Sequence, residues 1–328
     1  MPVQSSLLLP TDYISDATDH IRNAKKRVSL ITMVIGSDDS TDVIVEALCT
    51  AASRGVEVEV AADIFTYLEL GGIIMPGRYR SKSSRKMALM RKSLIKSGVK
   101  FTWLGRTHAT LVSGRTHIKW CIVDDTVYSF GGVNLYNDGI SNNDYMIKIT
   151  SGQLANSLIS EYKRLSTADA GSYAYRSHSF MVDDDEVLID GGIFGDSIIY
   201  RRVCQLANEA HKVTLVSQYC PTGKLSRLLK NTAASLYFNP PESAIGINKI
   251  VIKAGMIFTG NHSLYTKDQY LHAKFMIFEM NDGQKIAVTG SHNFVNAGVL
   301  LGTREIALQT KNLLIIKQLE DFLDNFVT

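Results

Sequence analysis

Cysteine is scarce and scattered: the 328 residues hold 4, Cys49, Cys121, Cys204 and Cys220, with neither the paired spacing of a metal site nor the density of a secreted disulfide framework. Each lies in apolar surroundings, so reduced core thiols in a cytoplasmic protein are expected. Proline is also sparse at 6, and with 45% hydrophobic and 20% charged residues the composition excludes a disordered, collagenous or coiled-coil chain. Long apolar runs are missing. The strongest, near residues 28–36, falls well short of the ~20 residues that span a bilayer, and the N-terminus has neither the positive region nor the apolar stretch of a secretory signal. Charge of one sign is lacking too: 35 Lys and Arg against 32 Asp and Glu leave a formal +3, too little for the field of the whole molecule to name a partner.

What is present is length enough for two domains of ~150 residues and an internal repeat. In the first half a helical stretch at 16–26 leads into a strand-like run at 27–36, a helix-patterned segment at 42–54 and an apolar strand at 56–62. In the second half, 197–210, 212–220, 224–231 and 235–238 follow the same series. Helix, strand, helix, strand in both halves predicts α/β architecture. The expected division is residues 1–168, a linker region at 169–195 and residues 196–328; the linker holds the acidic run 183–186 and the turn-forming Asp190-Gly191-Gly192.

The chemistry is carried by a duplicated array. His117-Ile118-Lys119 is followed after four residues by Asp124, giving H-x-K-x4-D, and then by Gly131-Gly132-Val133-Asn134. His272-Ala273-Lys274 is followed by Glu279, giving H-x-K-x4-E, and then by Gly290-Ser291-His292-Asn293. A lone His and Lys on a strand is usually structural or solvated, but with 8 His in the chain two matched arrays are far more specific than one short motif. Side-chain direction repeats every two residues along a strand, so His117 and Lys119 face one side, as do His272 and Lys274. Gly131, Gly132, Gly290 and Ser291 are read as leaving room for close backbone approach to a ligand beside Asn134 and Asn293.

These arrays resemble the phospholipase D superfamily, including cardiolipin synthases and related nucleases, and the resemblance covers both halves. It implies two similar phospholipase D-like α/β/α sandwich domains, a pseudo-dimer whose paired motifs make one active site. It implies nucleophilic histidine chemistry with no cofactor and no metal. It also implies that Asp124, and Glu279 where the family has Asp, support local structure rather than react. Each histidine needs a partner to fix its tautomer and stabilise its cation. Asp144 and Glu305, 10 and 12 residues after the motif asparagines, stand where similar proteins hold the catalytic His. Asp144 is accordingly assigned to His117 and Glu305 to His272, with ordinary turn or salt-bridge roles as the alternative. In related two-motif enzymes the N-terminal His is commonly the nucleophile, which gives that role to His117 and the acid to His272.

The residue types fit phosphoryl transfer in their own right. A neutral imidazole attacks phosphorus, and a protonated one gives its proton to the leaving oxygen. Lys119 and Lys274 bring positive charge to the nonbridging oxygens, and Asn134 and Asn293 bring neutral donors. Water completes hydrolysis, whereas an alcohol completes transfer. The duplicated motif in one chain looks more like cardiolipin synthases than like single-motif nucleases, so phospholipid is the expected substrate and nucleic acid the alternative; the site needs no oligomer.

The stretch from Arg78 to Lys100 holds nine Lys or Arg and no Asp or Glu. It suits peripheral contact with an anionic membrane, at the inner surface for a cytoplasmic protein, and suits nucleic-acid phosphates equally. Its Met87, Leu89, Met90, Leu94 and Ile95 fit either a membrane-facing helix or one packed on its own domain. His292 is expected to pack or support, and His20, His108, His178, His211 and His262 lack comparable arrays.

Overall fold

The computed structural model describes residues 5–71, 82–105, 114–171 and 174–328. The chain divides into two compact units. The first comprises Met1–Ser129, Val133–Ser141 and Met146–Tyr175, and the second Phe130–Gly132, Asn142–Tyr145 and Arg176–Thr328.

In chain order the first unit contains β1 (Ser5–Leu8), α1 (Pro10–Asn23), β2 (Arg27–Thr32), α2 (Asp42–Ser53), β3 (Glu57–Asp63), α3 (Thr66–Gly71), α4 (Lys82–Lys96), β4 (Lys100–Leu104), β5 (Trp120–Val123), β6 (Thr126–Ser129), α5 (Asn137–Ser141), β7 (Met146–Thr150) and α6 (Gly152–Asp169). Its sheet runs β1-β7-β6-β5-β2-β3-β4, parallel across β2-β3-β4 and antiparallel elsewhere. Helix α1 opens with Pro10, whose missing N–H costs nothing in the first turn. Its inward residues Tyr13, Ile14, Ala17 and Ile21 recur at the helical period and join Ile44 and Leu48 of α2 and Met90 and Leu94 of α4 over Val28, Leu30, Val58 and Val60. Burying each such aliphatic side chain contributes about 1.5–3 kcal/mol. On the other face α6 packs at β6, its first turn capped by Ser151, whose Oγ accepts from Leu154 N at 3.2 Å.

The second unit contains β8 (His178–Val182), β9 (Asp185–Gly191), α7 (Ile198–Glu209), β10 (Ala210–Val216), α8 (Gly223–Leu229), β11 (Ala233–Tyr237), α9 (Gly246–Thr259), β12 (Phe275–Met280), β13 (Lys285–Gly290), α10 (Asn296–Leu301), β14 (Arg304–Thr310) and α11 (Leu313–Phe322). Its sheet runs β11-β10-β12-β13-β14-β9-β8, with only β10-β11 parallel. Helices α7 and α8 cover one face through Ile199, Val203, Leu225 and Leu229, and α11 packs at β13. The repeat expected from sequence therefore runs deeper than its opening elements. The series β3-β2-β5-β6-β7-β1 recurs as β11-β10-β12-β13-β14-β9, each pairing keeping its sense, while β4 is added at one edge of the first sheet and β8 at the far edge of the second.

One boundary needs correction. Residues 169–195, expected as a linker, hold β8 and β9, and the acidic run supplies the tight turn of that hairpin, Asp183-Asp184, and the start of β9. Asp183 sits there at φ 53, a left-handed conformation that Asp tolerates in turns, so a hairpin built on aspartates reads like a solvated connection. The break between units falls at Tyr175 and Arg176.

The cysteines are free, and burial pushes the Cys121 thiol up to about 12 and the Cys204 thiol up to about 11, which makes them inert. No described helix is long and apolar enough to cross a membrane. Of the basic stretch, Arg78 and Arg80 lie outside the described residues, as does His108. In α4, Met87, Met90 and Leu94 are buried while Leu89 and Ile95 face outward, so most of its apolar stripe packs on its own unit.

Candidate active site

In the second unit the strand pairings bring the array to one end of the sheet. Val216 pairs with Phe275, Phe275 with Thr289, and Gly290 with Ala307. His272 and Lys274 before β12, Gly290 to Asn293 after β13, and Glu305 near the start of β14 therefore share that end. The His272 ring donates through Nδ1 to Asp144 Oδ2 at 2.7 Å. Burial pushes the Asp144 carboxyl up, but the hydrogen bond and charge of His272, then Lys274 and the Tyr145 amide, outweigh it and hold the group below its ordinary value. An ionised Asp144 fixes the tautomer with Nδ1–H and turns the Nε2 lone pair toward chemistry.

This overturns the expected pairing of Asp144 with His117. The physical reason is strand pairing: Asn143 forms a parallel bridge with Leu271, its carbonyl accepts from His272 N at 2.9 Å and Ala273 N at 3.0 Å, and its own N–H reaches Tyr270 O. Asp144 is thus carried by backbone against the second array. Buried Glu305 accepts from Ser291 Oγ at 2.5 Å, and Ile306 N donates to that same oxygen at 3.0 Å.

In the first unit His117 and Lys119 lie in the extended chain before β5. Both arrays share one local geometry. Lys119 Nζ donates to His117 O at 2.9 Å, and Lys274 Nζ donates to His272 O. Both lysines are buried, so each ammonium is held at the backbone carbonyl of its histidine, where the low dielectric strengthens its field. Asn134 and Asn293 are buried as well, and in each the Oδ1 has no hydrogen-bond partner among the described residues. A buried polar atom left without a partner costs about 1–3 kcal/mol. Its occurrence at the same place in both arrays points to a hydrogen-bond donor supplied from outside the chain.

The acids of the two motifs differ in role. Asp124, at φ 52 in the β5–β6 turn, accepts from the backbone N–H groups of Lys25, Lys26 and Arg27 at 2.9, 2.8 and 3.0 Å. Burial raises its carboxyl, but these amides hold it below the usual range. Glu279, one methylene longer, pairs across the sheet with Lys212 at 2.8 Å, a half-exposed contact contributing about 0.2–1 kcal/mol.

The small residues also act differently from expectation. A Cβ on Gly132 would stand 2.6 Å from Asp144 Oδ2 and 2.9 Å from His272 O, and one on Gly290 would stand 2.1 Å from Ile306 O. Gly132 and Gly290 admit the protein's own chain rather than a ligand. Gly131 and Ser291 are buried beside them. His292 accepts from Phe294 N through Nδ1 at 2.8 Å and supports that turn.

Several supporting residues carried no sequence signal. Tyr145 shares a 2.6 Å hydrogen bond with Thr289 Oγ1, which donates to Phe130 O at 2.8 Å. Asp63 accepts from Arg115 Nη1 at 3.1 Å and Thr116 N at 2.8 Å, anchoring the chain just before His117. Both depend on partners distant in sequence, where no spacing rule reaches. Among the described residues no cluster of three or more His, Cys, Asp or Glu could hold a metal ion.

Residues 17–166 match a family model described as "Cardiolipin synthase, PLD-like domain". Over those residues the chain is similar to a phospholipase D-like domain. The phospholipase D-like fold extends over both units. Phosphatidylserine synthase from Haemophilus influenzae Rd KW20 superposes with a TM-score of 0.75 at 14% identity, covering 98% of this chain and 85% of that one. Polyphosphate kinase from Porphyromonas gingivalis superposes with a TM-score of 0.62 at 12% identity, covering 98% of this chain, which spans 50% of that protein. At these identities the likeness is one of fold. No curated protein matches the chain by sequence.

Proposed function

We propose that this phospholipase D-like chain is a phosphodiester-cleaving or phosphatidyl-transferring enzyme that works through a covalent phosphohistidine, with phospholipid as its substrate. The observation that carries the reading is the pair Asp144 and His272 beside buried Lys274 and Asn293, together with the recurrence of His, Lys and unsatisfied Asn in the first array. The phospholipid choice is supported by the family match over residues 17–166.

The chemistry proceeds in two displacements. The Nε2 lone pair of His117 attacks phosphorus and forms a P–N bond. The bond from phosphorus to the leaving oxygen breaks, and His272 gives that oxygen its proton. Asp144, 2.7 Å from Nδ1, stabilises the protonated ring from which His272 starts. Water or an alcohol then attacks phosphorus, His272 takes its proton, and the P–N bond breaks. Lys119, Lys274 and the Nδ2–H groups of Asn134 and Asn293 stabilise the charge on the nonbridging oxygens.

Product analysis tests the reading. Purified protein is incubated with phosphatidylglycerol, with and without added ethanol as acceptor, and separately with single- and double-stranded nucleic acid. Phosphatidic acid or a transphosphatidylation product supports it, whereas cleavage of nucleic acid alone replaces phospholipid by a nuclease substrate. Turnover of phosphorus-labelled lipid, quenched in alkaline denaturant because a P–N bond is lost in acid, should leave label on His117. Label on His272 would exchange the two roles, and activity retained in both His117→Ala and His272→Ala would remove the histidine mechanism.

A further inference from the structure

We propose that the second unit docks on an anionic lipid surface through an apolar and basic rim led by α9. The rim lies at the same end of the sheet as the second array. Gly191, Val216, Tyr237, Gly290 and the starts of β12 and β14 meet there through their pairings. Every connection leaving that end therefore lies at the same end of the sheet as His272 and Asn293, and α9 belongs to the connection between β11 and β12.

Helix α9 is turned the wrong way out for water. Its inward side, Ile252 and Met256, packs with Cys220 and Phe238, and Tyr219 Oη donates to Asn248 Oδ1 at 2.7 Å. Its outward side carries Ile250 at 68%, Ile257 at 70% and Phe258 at 86% exposure, with Ile245 at 90% just before the helix. By contrast the outward positions of α7 are Arg201, Gln205 and Glu209, as a solvated helix face requires. Two further connections at this end add Phe194 and Leu300, both exposed.

Charge selects the occupant. Lys249 and Lys253 stand on the outward side of α9, and no Asp or Glu occurs between Glu242 and Asp268. Apolar side chains flanked by lysines and unaccompanied by acid match the acyl and headgroup layers of an anionic leaflet. A rim of this kind beside the array would bring a lipid phosphate to Asn293 without lifting the acyl chains into water. The inference rests on the phospholipid reading in that last respect, and it moves the expected membrane contact from α4 to α9.

The test is vesicle flotation of the full chain with phosphatidylcholine alone and with phosphatidylcholine plus phosphatidylglycerol. The expected result is binding that needs the anionic lipid, and loss of at least about tenfold in Ile257→Ser/Phe258→Ser and in Lys249→Glu/Lys253→Glu. Turnover of a water-soluble phosphodiester, bis(4-nitrophenyl) phosphate, should stay at the wild-type level in these variants and so report an intact fold. In Phe258→Trp, emission should shift to the blue on anionic vesicles. Absence of vesicle binding, binding unchanged in both double variants, or a chain that self-associates through α9 and ignores vesicles would overturn the proposal. Soluble-diester turnover without vesicle binding sinks this inference and leaves the proposed function standing; vesicle binding without any diester turnover does the reverse.

Discussion

Asp144 and His272 lie 128 positions apart and meet at 2.7 Å, carboxylate oxygen to ring Nδ1. The carboxylate follows the first motif in the chain and serves the histidine of the second. Two short segments of the first half, Phe130–Gly132 and Asn142–Tyr145, are built into the second unit, so neither half of the sequence makes that unit alone.

Asp144→Asn should keep the shape and lose the charge. Turnover is expected to fall on the order of 10²-fold or more, because an amide supports neither the imidazolium nor the correct tautomer. The folded carboxyl is held low, so its contribution to stability is present above the unfolded value of ~3.9 and lost as pH falls through the folded value. Thermal melts of wild type and variant should therefore converge on acidification. A gap independent of pH would contradict the ion pair.

Gly132→Ala forces a methyl group to 2.6 Å from Asp144 Oδ2. The carboxylate and the His272 carbonyl must shift, with destabilisation of about 1–3 kcal/mol and a loss of turnover greater than of substrate affinity. Denaturant unfolding and steady-state kinetics of the variant measure the two effects, and wild-type values in both would show that the site yields freely.

The motif acids should part company. Asp124→Ala leaves three backbone amides without their acceptor and is expected to lower stability by about 1–3 kcal/mol. Glu279→Ala removes only the half-exposed pair with Lys212, worth less than about 1 kcal/mol. Equal melting temperatures for the two variants would refute the difference in role.

Asp190 gives the fold a pH dependence of opposite sign. It accepts from Ser197 Oγ at 2.5 Å and from the amides of Ile198 and Ile199 at the start of α7. Burial above all, with Glu305 adding, pushes its carboxyl up to about 7 against those donors. The proton it retains stabilises the native state fully below the unfolded value of ~3.9, and that contribution is lost as pH rises through the folded one. Between about pH 4 and about pH 7 wild type should lose stability relative to Asp190→Asn; parallel curves would show the carboxyl to be ionised throughout.

The duplicated order of elements, the two arrays and the α/β class were legible in the sequence because each rests on local spacing. The period of two puts His and Lys on one side of a strand, and an apolar stretch followed by glycine marks a strand end wherever it occurs. The acidic hairpin was misread because its aspartates serve equally well as turn and as tether. That Asp144 serves His272 was decided by the isolated bridge between Asn143 and Leu271, a pairing between segments far apart in the chain. Likewise the crowding at Gly132 and Gly290 and the outward turn of α9 depend on what tertiary packing brings alongside. Backbone hydrogen bonding and burial act on neighbours in space, and only the folded chain says who they are.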